Sequence, residues 1–405
     1  MLGLFNEPIR EGLGYDPVEG LKRVSEAYTL ATVSAGFLLP LVGRLADRLG
    51  LRLVVGCVTA LFAGGLVLLS FAENMATVTA GFFLCRLFGQ GSMGMLAGHV
   101  IAMWFERRLG TAHAVMAMGF AIPSALSPIP TEWLIEAIGW RNALLVLAGV
   151  VVLMVMPLVL TVFRNKPEDV GQHLDGDPEE HETHDVLHGG PPPKGDPGFT
   201  LWQAMGTRAF WIVLPIMAAA GMIGTALIFQ MNPMMEEAGS DTSKAALTVT
   251  AWAVAGGITS IVGGRLADSV RPSVLLAIGP AFGTLACLCV WAGLKVESVP
   301  MLTGALVGMV FFGVAHGLIT AVANPTIARY FGRTHHGSIR GTVGMVIVVG
   351  TGLGPLTSAW GFDLGGESFG PVLIGYAVVC VPLVVAGALL AKPRAPGENG
   401  RSDSH

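Results

Sequence analysis

The sequence predicts an all-α integral membrane protein built of two similar helical halves. Three observations carry this. Apolar residues make up 52% of the chain and charged residues 13%, with mean hydropathy +0.64, whereas a soluble domain carries roughly 25% charged residues. The apolar residues gather into stretches of about 20, the length that crosses a bilayer. Finally, Gly43-Arg44-Leu45-Ala46-Asp47 recurs as Gly264-Arg265-Leu266-Ala267-Asp268. Downstream, Trp104-Phe105-Glu106-Arg107-Arg108 is echoed by Tyr330-Phe331-Gly332-Arg333. Two matches in the same order read as an approximate internal duplication.

In chain order, spanning helices are expected near 24–42, 53–72, 77–102, 111–130 and 142–163. A second set is expected near 209–231, 245–263, 274–293, 300–323, 341–360 and 370–391. The 55 glycines suit helices that approach closely in lipid. Between the sets, 164–200 is acidic and His-rich and carries Pro191-Pro192-Pro193, the composition of a disordered linker. The expected organisation is therefore an N-terminal half (1–163), a linker (164–200), a C-terminal half (201–391) and a tail (392–405).

Lys and Arg set the orientation. Arg44, Arg48, Arg52, Arg107, Arg108, Arg164, Lys166, Arg265, Arg271, Arg329, Arg333 and Arg340 fall in one set of connections; the other holds mainly acids such as Glu73, Glu132, Glu236 and Glu297, with Arg141, Lys244 and Lys295. This puts the linker and C-terminus in the cytoplasm. About eleven spans with a cytoplasmic C-terminus leave the count one short of two six-helix repeats. The expectation is a missing first helix, with Gly3-Leu4-Phe5-Asn6-Glu7-Pro8 as its outer end and a natural start upstream.

Other features narrow the class. Net charge is −4, too small to call for nucleic acid or another polyanion. All five cysteines lie in apolar runs and read as small hydrophobes, without a disulfide framework or metal site. The run Gly350-Thr351-Gly352-Leu353-Gly354 sits in an apolar stretch with no preceding strand, so it is no nucleotide loop. His181, His184 and His188 in the acidic linker read as incidental. No enzyme or cofactor motif is evident, so a transported solute would be driven by a gradient.

Arg86 is the only charged side chain well inside any expected span, where charge is costly and must meet water or a partner. Its fork suits a carboxylate, and carbonyl-capped bundle stabilisation is the other reading. Gln90 follows at i+4 on the same face. His99 and His316 are intramembrane titratable groups, either relays or neutral hydrogen-bonded imidazoles. Gln230 ends a span on the outer side, as a rim group or as ordinary interfacial solvation. Asp47 lies just past a helix end, placed to pair with loop arginines or to accept from free N–H groups of a neighbouring helix. Such a bond would be made when the cytoplasmic ends meet and broken when they part. The gating set read from the repeated strings is Gly43, Asp47, Arg48, Arg107, Arg108, Asp268 and Arg333.

The run Gly43 to Arg52 resembles the signature between the second and third helices of the major facilitator superfamily. Arg86-Leu87-Phe88-Gly89-Gln90-Gly91 resembles its fourth-helix motif. Phe105-Glu106-Arg107-Arg108-Leu109-Gly110-Thr111-Ala112, Gly139-Trp140-Arg141, Tyr330-Phe331-Gly332-Arg333 and Lys166-Pro167-Glu168-Asp169-Val170-Gly171 look like its monocarboxylate and oxalate/formate branch. The resemblance implies a major facilitator fold and alternating access. It also implies a small organic anion as substrate, with a proton or counter-anion in the cycle. The expected setting is a monomer in the cytoplasmic (inner) membrane. A carrier of the same fold for another solute or drug, and a non-transporting sensor, stand as alternatives. The branch would place a basic residue within each of the runs 245–263 and 341–360; neither run contains one.

Overall fold

The computed structural model describes residues 5–14, 17–176 and 198–394. Among them the regular structure is helical. A short helix α1 (Asn6–Gly12) precedes α2 (Pro17–Leu49) and α3 (Leu51–Ser70). Next come α4 (Met75–Leu84), a π-helical segment (Cys85–Met93) and α5 (Gly94–Trp104), followed by α6 (Leu109–Leu126) and α7 (Pro128–Thr161). After the central stretch come α8 (Leu201–Met205), α9 (Arg208–Glu237), α10 (Ala245–Ser269) and α11 (Pro272–Lys295). The chain continues with α12 (Met301–Phe331), α13 (His336–Leu364) and α14 (Gly370–Ala388).

Among the described residues, nine helices are long and apolar enough to cross a membrane. The other two expected spans are α6 and the helix 75–104, which its π-helical segment breaks into three shorter pieces. Most helices run past the apolar stretch that announces them: α2 begins at Pro17 and α13 at His336. Polar ends are tolerated there because backbone hydrogen bonding is satisfied inside the helix and long side chains reach the interface.

Two compact units emerge, and neither coincides with a sequence half. Unit 1 comprises 1–104, 118–192 and 335–345; unit 2 comprises 105–117, 193–334 and 346–405. Each thus includes the start of one helix, α13 or α6, from the other sequence half. In unit 1, Phe82, Leu69, Leu144 and Trp140 form a buried cluster that Phe5 and Ile9 of the α1 segment join. In unit 2, Phe312, Met231, Cys287 and Leu373 bring α9, α11, α12 and α14 onto one core. At one end of that unit, Glu237 accepts from Lys295 Nζ (2.8 Å), Ser368 Oγ (2.7 Å) and the Phe369 N–H (2.9 Å), closing α9 onto the start of α14.

The expected linker is described over 164–176 and 198–200; the three linker histidines lie outside the described residues. The motif after α7 is folded back. Pro167–Val170 forms a 3-10 turn ended by Gly171 at φ 70°. Asn165 Oδ1 accepts from the Arg52 N–H at 2.8 Å, and the Arg52 guanidinium donates to the carbonyls of Val159 and Leu160. Arg52 therefore caps the end of α7 instead of standing free in a loop.

The helix α7 is interrupted by Gly139, at φ 79°. The expected span 142–163 corresponds to the piece after this break. Arg141, over the Trp140 ring, donates to the Ala72 carbonyl at 2.9 Å and fixes the piece to the end of α3. Since a Cβ disfavours this left-handed backbone, Gly139→Ala should cost about 1–2 kcal/mol. A melting-temperature comparison of purified wild type and variant checks this, and an unchanged melting temperature would contradict it.

Candidate functional site

A helix start carries unpaired N–H groups, and besides α14, held by Glu237, two of the starts here are capped by carboxylates from remote helices. Asp47, in the last turn of α2, accepts from the N–H groups of Gly337 and Ser338, each at 2.8 Å, and from Ser338 Oγ at 2.6 Å. In unit 2, Asp268 of α10 accepts from Gly110 N–H (2.8 Å), Thr111 N–H (3.0 Å) and Thr111 Oγ1 (2.8 Å). Each acid thus grips a Gly-Ser or Gly-Thr pair by two successive amides and one hydroxyl.

The repeated five-residue string now has a physical reading. Its glycine lies one turn before its aspartate, on the same helix face. A Cβ on Gly43 would strike the Gly337 carbonyl oxygen, and one on Gly337 would lie 2.6 Å from Asp47 Oδ1. In the second copy a Cβ on Gly264 would lie 2.6 Å from the Gly110 oxygen. The glycine brings two backbones into contact, and that approach puts the amides within reach of the carboxylate.

The two acids differ in their cationic neighbours. Arg329 Nη2 lies 2.6 Å from Asp268 Oδ1, and the same guanidinium donates to the carbonyls of Ala267 (2.5 Å) and Arg107 (3.1 Å). Asp47 instead has His99 Nε2 at 3.8 Å, with both side chains nearly inaccessible (3% and 6% exposed). The His99 ring meets His336 edge-on at 5.3 Å. Beside it the Arg340 guanidinium covers Gly98, where a Cβ would come within 2.6 Å of Cζ. Arg340 belongs in α13, not in the preceding connection; it was missed because α13 starts five residues before its apolar stretch. Arg86 is accordingly not alone among charged groups on the helices.

Arg86 and Gln90 meet on the π-helical segment, where Nη1 donates to Gln90 Oε1. The guanidinium lies over the Tyr28 ring, 5.0 Å from its centroid, a cation–π contact. The wide turn is marked by Ser92 Oγ donating to the Leu87 carbonyl five residues back, at 2.7 Å. Such π turns often mark functional sites. Among the described residues no carboxylate pairs with Arg86.

The remaining sequence candidates have separate surroundings. His316 packs against the Trp252 and Phe312 rings, with centroids 5.9 and 6.2 Å away. Gln230 Nε2 donates to Ser358 Oγ at 3.1 Å. Arg48, Arg107 and Arg108 are exposed and Arg333 is half-buried. The Arg107 main-chain carbonyl joins the Asp268 cluster through Arg329. Sequence reasoning missed Ser338, Arg329 and Arg340. The Gly-Ser and Gly-Thr pairs at the starts of α13 and α6 were a readable signal for the first.

Internal repeats of apolar helices are a recurrent build of membrane transporter folds. The chain belongs to the Major Facilitator Superfamily, which it matches over residues 1–291 and again over 213–404. It is 33% identical to the human (Homo sapiens) Monocarboxylate transporter 6 over 117 residues, 27% of this chain and 22% of that protein. It is 21% identical to the uncharacterized MFS-type transporter YfiU of Bacillus subtilis (strain 168), over 89% of this chain and 76% of the other. The leading curated matches thus span only about a fifth to a third of those relatives' length. In fold it is similar to the proton:xylose symporter XylE (TM-score 0.66, 14% identity, 97% and 91% of the two chains). It is also similar to the human organic anion transporter MFSD10 (TM-score 0.64, 14% identity, 95% and 88%). Its nine long apolar helices among the described residues and its family make it a multi-pass membrane protein.

A side chain at the glycine contact must push the two backbones apart. Gly43→Val should therefore cost about 1–3 kcal/mol through overpacking and should loosen the amides of Gly337 and Ser338. Melting temperature together with hydrogen exchange at those two amides checks this; unchanged exchange would show that the glycine does not set the approach.

Proposed function

We propose that the protein moves a small organic anion of the monocarboxylate kind across the cytoplasmic membrane by alternating access. The observation that carries this reading is Arg86, a guanidinium on a spanning helix with one amide acceptor, an aromatic support and no acidic partner among the described residues. A charge so placed is tolerated where water or a counter-charge reaches it, and a substrate carboxylate supplies the counter-charge. Gln90 holds one edge of the guanidinium and leaves the rest of its fork for the substrate. The local similarity to a monocarboxylate transporter points the same way. In unit 2, His316 and Gln230 are proposed as further substrate contacts. A proton or counter-anion completes the cycle, and the carrier works as a monomer in the lipid bilayer without a cofactor. The linker and C-terminus lie in the cytoplasm, as the positive connections require.

Within this reading, Asp47 and Asp268 are gates. Each cap stabilises the state in which it is made and is lost when the helix start moves away. Gly43 sets the approach at the first gate. Arg48, Arg107, Arg108 and Arg333 supply positive charge on the cytoplasmic side.

Asp47→Asn should slow turnover more than it weakens substrate binding, because the neutral amide accepts less strongly from Gly337 and Ser338. Transport rates in proteoliposomes beside equilibrium binding check this, and unchanged transport would make Asp47 a solvated helix-end acid. For Arg86, losing a charge-assisted hydrogen bond should cost roughly 1.5–3 kcal/mol, about 10- to 150-fold in affinity. Arg86→Gln should show that loss, and Arg86→Lys should recover part of it by keeping charge without the fork. The measurement is binding across a panel of labelled monocarboxylates and dicarboxylates, with melting temperature alongside. Equal affinity with lowered stability in both variants would make Arg86 structural.

A further inference from the structure

The Asp47 cap has a titratable neighbour, whereas the Asp268 cap is held by a permanently charged arginine. His99 Nε2 lies 3.8 Å from Asp47 Oδ1, inside ion-pair range but beyond a hydrogen bond. Its Nδ1 is buried with no partner, an arrangement that calls for an explanation. We propose that His99 is the proton-binding site of this carrier and that its protonation releases Asp47 from the start of α13. The proposal rests on the reading of Asp47 as a gate.

The charged and titratable groups around His99 sort into two sets. Asp47 comes from α2, and α2 and α5 belong to the same sequence half as His99. His335, just before α13, and His336 and Arg340, in its first turns, come from the other half. Of the remaining elements packed on α5, the π-helical segment carries Arg86, held by Gln90, and α3 carries Arg52, tied to the carbonyls of Val159 and Leu160. The short turn Leu174–Gly176 carries Asp175.

A proton on His99 therefore has opposite effects on the two arrangements. With the cap made, the imidazolium faces the Arg340 guanidinium, and the Asp47 oxygens are already occupied by Gly337 and Ser338. With the start of α13 withdrawn, Arg340 leaves with it and Asp47 is free to pair with the imidazolium directly. Neutral His99 offers Asp47 at most one uncharged N–H, a poor exchange for two amides and a hydroxyl, so the carboxylate keeps the helix start. The proton binds the open arrangement better, and by linkage acid opens the cap.

Hydrogen exchange at the amides of Gly337 and Ser338 reads the cap directly, without a known substrate. The full chain in lipid nanodiscs is measured from pH 8 to 5.5, with rates corrected for intrinsic exchange. Protection in wild type should fall with acidification, approaching about ten-fold per pH unit once the pH drops below the proton affinity of the open arrangement. His99→Gln and His99→Asn, each holding one of the two ring-nitrogen positions, should hold protection constant across this range, and His336→Gln should keep the fall. A flat wild-type profile overturns the proposal. So does a fall that persists in whichever His99 variant folds, or one that disappears in His336→Gln. Asp47→Asn separates the two readings. Protection at pH 8 that is unchanged in that variant sinks the gate itself, whereas lost protection there with a pH-independent wild type sinks only the role of His99.

Discussion

The first amides of a helix have no partner within the helix, and near a membrane they cannot all rely on water. In this protein a carboxylate at the end of a different helix supplies the partner at three places: Asp47 for α13, Asp268 for α6 and Glu237 for α14. Each bond joins a negative charge to the positive end of a helix dipole, so it is stronger than a contact between neutral groups. The first two caps explain why the compact units cut across the sequence halves. The starts of α6 and α13 are counted with the helices whose acids hold them.

The caps at Asp47 and Asp268 share backbone geometry but not electrostatics. Arg329 neutralises Asp268 and also binds the carbonyls of Ala267 and Arg107, so that acid is fixed in a ring of hydrogen bonds. Asp47 has only the N–H and hydroxyl donors of Gly337 and Ser338 at bonding distance, with an imidazole just outside it. Removing the helix start leaves Asp268 with a charged partner and Asp47 without a bonded one. The two caps therefore open at different cost, although the two strings that build them are identical.

Much of this was legible in the sequence, for physical reasons. Spanning helices must be apolar over about 20 residues, so all eleven expected stretches fall on helices. The repeated Gly-Arg-Leu-Ala-Asp string marked the caps because one turn of helix fixes the offset between the glycine and the acid. What holds each string was not legible. Ser338 lies 291 residues from Asp47, and no local period links them. Helix starts were also hidden. The polar first turn of α13 reads as a connection, which put Arg340 outside the helix and concealed its contact with Gly98. The π turn under Arg86 has no hydrophobic signature at all, since one inserted residue shifts the register without changing composition.

That π turn bears on how a single chain serves both sites. Arg86 and Gln90 occupy it, and His99 lies on the α5 helix that continues from it without a loop. A π turn is one residue from the α-helical register, so it offers two nearby packings and not a continuum. Gln90 and Tyr28 hold Arg86 in the wide form here. A carboxylate at the guanidinium would compete with Gln90 and act on the balance between the two registers. Any change of register must turn α5 relative to α4, and His99 moves with α5. The guanidinium proposed to meet the substrate and the imidazole beside the proposed gate are thus mechanically joined by one helix, through the segment least committed to a single geometry.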